Sequence, residues 1–428
     1  MFIVYLLMII DYGLLSMTFQ FFQADFSNTH FISNTDQRND ISLSANATSE
    51  TTATNLTAPI QGVTPQNFRD DEHAILATQN VHPAAIFAVK PAVQSVVNLL
   101  SGSLIDRFGY GVPMFVGTLA LLLTAIGYGF GQSYFFLLVS AALHGLGSSF
   151  VTVGGMTMMA RIFNDKEERA KTFRTVLSSM AIGMTAGPVF AKGVDSFQDK
   201  MIPFFVFAVL ITVIGFCQIF CIGLKIERNK KPMTLSKLPN VSCILLAVQS
   251  LMITGFVLGV LIGGFPDLLM RRLKPSKWEL GDVFLYGIVG FELSAILIRK
   301  LPFNNWPWID TVMGMVILFI GLIMLTLSPS FLFITVPTIG YGINFITGSI
   351  YPDLPSLLEA NHKSHYGTVF ALADCGFSIS FAAGLLCYCA ILTTSNFHYV
   401  MWMMGFMCMV HATCNLVFWN LRKPQSAV

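Results

Sequence analysis

The sequence predicts an all-α membrane protein with twelve transmembrane helices in two six-helix halves. Of its 428 residues, 54% are hydrophobic and only 11% are charged, which is typical of a chain solvated mostly by lipid and excludes a soluble fold. Apolar stretches of the roughly 20 residues that a helix needs to cross a bilayer recur along the whole chain. A basic linker follows the sixth of them. The net charge of +2 does not indicate nucleic-acid binding.

Each predicted span is an apolar stretch bounded by polar, glycine-rich or proline-containing turns. The twelve predicted spans are 1–22, 79–103, 111–131, 134–158, 174–194, 202–224, 241–268, 282–300, 309–328, 330–351, 366–392 and 397–420.

The polar segment 25–77 between the first two spans predicts the orientation of the chain. It contains glycosylation sequons at Asn46 and Asn55, and such a site is used only on the lumenal or extracellular side. With that loop outside, the inner loops hold sixteen Lys and Arg and the outer loops hold eight, as the positive-inside rule requires. Both chain ends are therefore predicted to be cytosolic.

The cytosolic linker 225–240 divides the predicted spans six and six. We therefore expect an amino-terminal half at 1–224 and a carboxy-terminal half at 241–428. Two such half-bundles commonly enclose a central substrate cavity.

Three ionisable residues lie inside predicted spans: Asp11, Lys90 and Asp374. A charge at the bilayer centre costs at least a few kcal/mol, so such residues usually face a polar pathway rather than lipid. The two acids and one base therefore predict a pathway for a charged solute.

The turn after the second span reads GSLIDRFG, from Gly102 through Asp106 and Arg107 to Gly109. This run resembles the loop motif of the major facilitator superfamily. Its glycines allow helix ends to approach, and its charges can pair across the cytosolic face and latch the bundle. The charged segment 161–169, which contains Asp165 and Arg169, offers partners. The alternative is an ordinary solvated charge cluster.

In the fifth predicted span, Gly183, Gly187 and Pro188 resemble the antiporter motif of the same superfamily. Glycines four residues apart allow close helix contact, and a proline kinks a helix. The pair of glycines alone would be weak evidence.

The run 366–374, YGTVFALAD, resembles the opening of span eleven in the vesicular amine and acetylcholine transporters, and 87–90, FAVK, resembles their second span. Similarity continues at 144–150 and at 278–281. The resemblance implies a proton antiporter that loads an organic cation into acidic vesicles. It implies Asp11 as the partner of the ammonium group and an ion pair between Lys90 and Asp374.

Phe377 and Phe381 follow Asp374 by three and seven residues and so share its helix face. They are predicted to contact an amine through cation–π interactions. The alternative is that they are packing residues, in a chain with 38 Phe.

The sequence departs from this family at acidic positions. The acid of span seven is replaced at Ile262 or Gly263, and the aspartate of span ten is replaced by Thr347. Candidates to replace them are four acids near span ends, although solvation at the membrane interface is the favoured interpretation of each: Asp267, Glu292, Asp353 and Glu359. Glu292 is the preferred candidate for proton coupling.

We therefore predict a monomeric proton/monoamine antiporter of vesicle membranes, with no enzymatic activity, cofactor or metal. Three alternatives remain: an acetylcholine transporter, an amine-binding relative that does not transport, and a uniporter independent of protons. The histidines His144, His398 and His411 lack the spacing of a metal site and are interpreted as polar helix residues or interface contacts.

Overall fold

The computed structural model describes ten segments of the chain: 1–18, 65–131, 133–194, 201–224, 240–273, 279–297, 307–327, 332–358, 365–391 and 397–422. The sequons at Asn46 and Asn55, Glu359 and nearly all of the predicted linker lie outside these residues.

Twelve α-helices occupy the described segments. They are α1 (Phe2–Thr18), α2 (Pro65–Phe108), α3 (Gly111–Phe130), α4 (Tyr134–Ile162), α5 (Lys166–Val194), α6 (Met201–Cys221), α7 (Val241–Leu273), α8 (Glu279–Leu297), α9 (Pro307–Leu327), α10 (Leu332–Asp353), α11 (Tyr366–Ile391) and α12 (Phe397–Arg422). A short 3₁₀ helix, Leu354–Leu357, follows α10.

Eight of these helices are long and apolar enough to cross a bilayer, and α1 is a shorter apolar helix. Two helices begin well before the predicted spans, because backbone hydrogen bonding continues past the apolar stretch: α2 begins at Pro65 rather than 79, and α5 begins at Lys166 rather than 174. The helical, strand-free architecture of the described residues agrees with the predicted fold class.

Helix packing repeats between the first six and the last six helices. In the first set α2 contacts α4, while α3 contacts α4 and α6; in the second set α8 contacts α10, while α9 contacts α10 and α12. Residues of α1 contact α5 as α7 contacts α11. This correspondence supports the division into two halves, which we retain as a proposal.

Glycines permit the two equivalent contacts α1–α5 and α7–α11. A Cβ added at Gly183 would collide with the carbonyl oxygen of Ile9, and one added at Gly259 would collide with that of Phe381. Gly187 likewise lies against the backbone of Met17, and Pro188 lies in the same helix. The glycines of the antiporter-like run therefore bring α1, which carries Asp11, against α5.

The two sets of helices meet mainly through α2 with α11 and α5 with α8. Further contacts join α4 to α11 and α5 to α10. The ionisable residues of α2 and α11 therefore lie at the boundary between the sets.

Candidate functional site

A cavity of about 180 Å³ lies between the two sets of helices. Its walls come from α1, α2, α4 and α5 on one side and from α7, α8, α10 and α11 on the other. Among the described lining residues, Asp374 is the acidic side chain. The cavity can therefore hold a small organic molecule next to one carboxylate.

Most of the cavity wall is apolar and aromatic. Three methionines, Met156, Met180 and Met184, line it on the side of α4 and α5. The aromatic residues of the wall are Tyr12, Phe87, Phe291, Tyr351, Phe377 and Phe381. Polarisable methionine and aromatic side chains suit a cation with an apolar body.

Two of the wall hydroxyls, those of Ser16 and Thr347, donate hydrogen bonds within the protein. Ser16 donates to the carbonyl oxygens of Gly13 (3.1 Å) and Gly183 (3.3 Å). Thr347 donates to the carbonyl oxygen of Ile343 at 3.1 Å. These hydroxyls therefore offer a ligand few free donors.

Two amide side chains of α2 hold the carboxylate of Asp374. Gln94 Nε2 donates to Asp374 Oδ2 at 2.8 Å, and Asn98 Nδ2 donates to the same oxygen at 2.7 Å. Ser149 in turn donates to Asn98 Oδ1 at 2.6 Å. Among the described residues no hydrogen bond reaches Asp374 Oδ1, so this second oxygen remains available as an acceptor.

The carboxylate of Asp11 has basic and hydroxyl partners. Lys90 Nζ lies 3.6 Å from Asp11 Oδ2, and His144 Nε2 lies 2.9 Å from Asp11 Oδ1. Ser148 donates a hydrogen bond to the same Oδ1. All four side chains are at least 95% buried, so Asp11 is already neutralised inside the protein.

Asp11 itself is not among the residues that line the cavity, whereas the adjacent Tyr12 is. Lys90 Nζ lies 5.2 Å from the centroid of the Tyr12 ring. The predicted ammonium partner therefore lies behind an aromatic side chain, and Asp374 is the acid that faces the cavity.

The ion pair of Lys90 differs from the predicted one. The structure shows Lys90 paired with Asp11, while amides occupy Asp374 Oδ2. Lys90 interacts electrostatically with both carboxylates. Asp374 therefore contacts α2 through Gln94 and Asn98, one and two turns beyond Lys90, and not through the predicted ion pair.

Two of the three positions where the family resemblance implies acids face the cavity. Thr347 and Ile262 line it, whereas Gly263, the alternative to Ile262, is not among the described lining residues. Glu292 is half-buried on α8, is not a lining residue, and interacts electrostatically with Tyr5. Positions 262 and 347 of the cavity wall therefore carry no acid, and Glu292 does not supply one there.

Phe377 and Phe381 lie in the wall with Asp374. Their rings stack, with centroids 6.3 Å apart and an interplanar angle of 15°. Both rings therefore lie on the cavity side of α11, as the shared helix face predicts.

The GSLIDRFG motif contacts the beginning of α11. Asp106 Oδ1 accepts from the backbone N–H of Gly367 at 2.8 Å, and Asp106 Oδ2 accepts from the N–H and hydroxyl of Thr368 at 2.9 and 2.6 Å. His365 Nδ1 lies 3.9 Å from Oδ2. A carboxylate at a helix N-terminus is stabilised by the helix dipole, so Asp106 joins α2 to α11.

Each of the other residues of the predicted cytosolic gate has its own surroundings. Gly102 packs against α11, and Gly109 ends α2 with a φ of 84°, which favours glycine. Arg107 is exposed above the ring of Phe108. Asp165 is exposed and accepts the N–H of Glu168 at the start of α5.

Further contacts join helices at the predicted cytosolic end, where Asp106 lies. The guanidinium of Arg169 on α5 donates to the Ser356 hydroxyl at 2.9 Å. One turn further, Phe173 stacks on Phe370 with centroids 5.5 Å apart. Helices from both sets are therefore joined at the predicted cytosolic end.

Sequence reasoning missed four polar residues of the site. His144 and Ser148 lie one turn apart on α4 and reach Asp11, and Gln94 and Asn98 lie one turn apart on α2 and reach Asp374. In each pair, polar side chains four residues apart form a stripe on an apolar helix, and that pattern was the available signal.

A bundle of this kind around a cavity with a buried carboxylate defines a membrane transporter of the major facilitator fold. The chain belongs to the Major Facilitator Superfamily, which it matches over residues 1–354. Within it, the chain is a divergent member of the family of vesicular amine and acetylcholine transporters, and hence a transporter rather than an enzyme.

The relatives that support this membership are similar over most of the chain. The synaptic vesicular amine transporter of Mus musculus is 29% identical over 381 residues, which are 88% of this chain and 72% of the relative. That of Rattus norvegicus is 30% identical, over 83% and 68%. The vesicular acetylcholine transporter of Torpedo torpedo is 24% identical, over 77% and 67%.

The fold is also that of a solved structure, the human organic anion transporter MFSD10 (TETRAN). The TM-score is 0.70 over 96% of this chain and 99% of that one, at 12% sequence identity.

Proposed function

We propose that this protein is a proton/organic cation antiporter that loads a small amine into acidic vesicles. The observation that carries the proposal is the cavity between the two sets of helices, where an otherwise apolar wall presents the acceptor Asp374 Oδ1. In this conformation a cation meets Asp374 first, because Lys90 neutralises Asp11.

The wall favours a substrate with one positive charge and an apolar body. Positions 262 and 347 carry no charge, and the hydroxyls of Ser16 and Thr347 are hydrogen-bonded to backbone carbonyls. A second positive charge on the substrate would therefore lose hydration without gaining a second carboxylate among the described lining residues. A monoamine with an aromatic ring fits this description, with the ring against Phe377 and Phe381.

Exchange follows from competition for a carboxylate. A proton on Asp374 removes the charge that attracts the ammonium group, and a bound ammonium group disfavours the proton. Entry of a proton from the acidic lumen would then release the amine there. Acetylcholine remains a second substrate, since its quaternary ammonium group can also use aromatic contacts.

A second candidate function is amine binding with reduced or absent proton coupling. It is favoured by Thr347 and by Ile262 or Gly263, which place neutral residues where the family resemblance implies acids. With fewer titratable groups in the wall, each substrate would move against fewer protons, or transport would be independent of them.

Uptake of a labelled monoamine panel into proteoliposomes, with and without an inside-acidic pH gradient, separates these functions. Gradient-driven uptake supports the antiporter, uptake unchanged by collapse of the gradient supports a uniporter, and saturable binding without uptake supports a sensor. Thr347→Asp should steepen the dependence of uptake on lumenal acidity, with Thr347→Val as the size-matched control. Equal behaviour of the two variants would refute the coupling argument.

We further propose a monomer in the vesicle membrane with both ends cytosolic, as the basic residues and sequons predict. Loss of a glycosidase-sensitive mass shift in an Asn46→Gln/Asn55→Gln variant, together with protease cleavage of cytosolic end tags in intact vesicles, would support this orientation. A shift retained in the variant would contradict it.

A further inference from the structure

His144 is a buried base that does not line the cavity and has no part in the amine binding proposed above. Its side chain is fully buried on α4, and Nε2 lies 2.9 Å from Asp11 Oδ1 and 3.2 Å from the backbone carbonyl oxygen of Asp11. Because both neighbours are acceptors, Nε2 carries a hydrogen. The other nitrogen, Nδ1, has no hydrogen-bond partner among the described residues and is open to a second proton.

The surroundings of the imidazole couple its charge to Lys90. The charged and titratable groups that face it among the described residues are Asp11 from α1, Lys90 from α2 and Tyr128 from α3. Tyr128 makes an edge contact, with ring centroids 6.0 Å apart. Asp11 thus has two basic neighbours, and one positive charge is enough to neutralise it.

Lys90 has an alternative partner in Asp374. The residues that bind Asp374, Gln94 and Asn98, lie four and eight positions after Lys90 and therefore share its helix face. If Lys90 turns to Asp374, Asp11 is left buried and charged beside His144. A buried charge without a counter-charge is costly, so a proton on His144 then becomes favourable.

We propose that His144 binds the transported proton in the amino-terminal half, taking it up when Lys90 leaves Asp11 for Asp374 and releasing it when Lys90 returns. The proton comes from lumenal water and binds at Nδ1, and it leaves to the cytosolic side after the conformational change, so the protein is unchanged after each cycle. His144 would thereby supply a titratable group in a protein that lacks acids at positions 262 and 347. This proposal rests on the proposed antiport.

The test compares His144→Gln with His411→Gln in purified, reconstituted protein. His411 on α12 is a second buried histidine, it is hydrogen-bonded to Ser250 of α7 at 2.7 Å, and it is not among the described residues that line the cavity, so its variant is a matched control. We expect His144→Gln to bind amine but to move one proton fewer per amine, measured as the reversal potential of flux at fixed gradients. The dependence of its uptake on lumenal pH should be shallower than that of the unmodified protein, whereas His411→Gln should keep the unmodified dependence.

The same stoichiometry and pH profile in His144→Gln and in the unmodified protein would overturn the proposal for His144. Uptake by the unmodified protein that ignores the pH gradient would instead refute antiport itself, so the two failures are distinguishable.

A measurement on folded protein covers the case in which His144→Gln does not fold. In ¹⁵N-histidine spectra of His411→Gln, the Lys90→Met substitution should add one doubly protonated imidazole at neutral pH, because Asp11 then needs another counter-charge. Absence of this signal in a correctly folded Lys90→Met protein would also overturn the proposal.

Discussion

Asp11 and Asp374 are both buried carboxylates near the centre of the bundle, yet they have different partners. Asp11 is surrounded by Lys90, His144 and Ser148, within helices α1, α2 and α4. Asp374, at the boundary between the two sets of helices, is held by the neutral amides of Gln94 and Asn98 and faces the cavity.

This difference in partners gives the two aspartates different roles, although their side chains are identical. A carboxylate beside a lysine is neutralised and has little attraction left for a second cation. A carboxylate held by amides keeps its orientation and has no counter-charge beside it, because amides supply hydrogen bonds but no charge. We therefore assign first contact with the amine to Asp374 and exchange of charge to Asp11 with its basic neighbours.

The largest expected effect is on stability. Asp11→Asn alone leaves the buried charge of Lys90 unmatched and should cost about 3–5 kcal/mol in free energy of unfolding. Lys90→Met should cost less, because a proton on His144 can then neutralise Asp11, and the double variant should recover much of the loss seen in Asp11→Asn. A parallel cycle of Lys90 with Asp374 should show weaker coupling. The measurement is reversible unfolding in mixed micelles.

Equal coupling energies in the two cycles would mean that Lys90 pairs equally often with Asp11 and with Asp374. Stronger coupling to Asp374 would support the ion pair predicted from the sequence.

A smaller effect is expected on binding of the amine. Asp374→Asn retains the size of the side chain and an acceptor for Gln94 and Asn98, but it removes a charge-assisted interaction of about 1.5–3 kcal/mol. Amine affinity should therefore fall by about 10- to 100-fold, as measured by equilibrium binding to purified protein. Asp11→Asn should reduce it less in the conformation described.

An equal or larger loss of affinity in Asp11→Asn would show that the ammonium group binds Asp11, as the family resemblance implies. Retained glycosylation and a monodisperse elution profile of both variants would exclude misfolding as the cause.

The smallest effect concerns the stacked rings beside Asp374. Phe377→Leu and Phe381→Leu preserve apolar volume but remove the aromatic face, which should cost about 0.5–2 kcal/mol of cation binding. The loss should be greater for a quaternary amine than for a neutral ligand of the same shape, measured in the same binding assay. Unchanged selectivity between these two ligands would assign the rings to packing.

Much of the fold and part of the site could be predicted from the sequence. Apolar length and the cost of buried charge are local properties, so the spans, the three intramembrane charges and the GSLIDRFG run were recognisable directly. The shared face of Asp374, Phe377 and Phe381 follows from helical periodicity alone. The choice of Glu292 as the replacement acid for proton coupling had no such basis, because a single acid in an apolar helix does not reveal which neighbouring helix its side chain faces.

The sequence by itself determined that two acids and one base lie inside the membrane, where each requires a partner. Only the tertiary structure decided which partners they have. Lys90 lies near two carboxylates, and a lysine side chain is flexible enough to reach either. The choice depends on how close the helices approach, as at Gly145, which packs against the backbone of Lys90 and brings α4 with His144 and Ser148 to Asp11. Such contacts join residues more than 50 positions apart, and no local pattern encodes their distance.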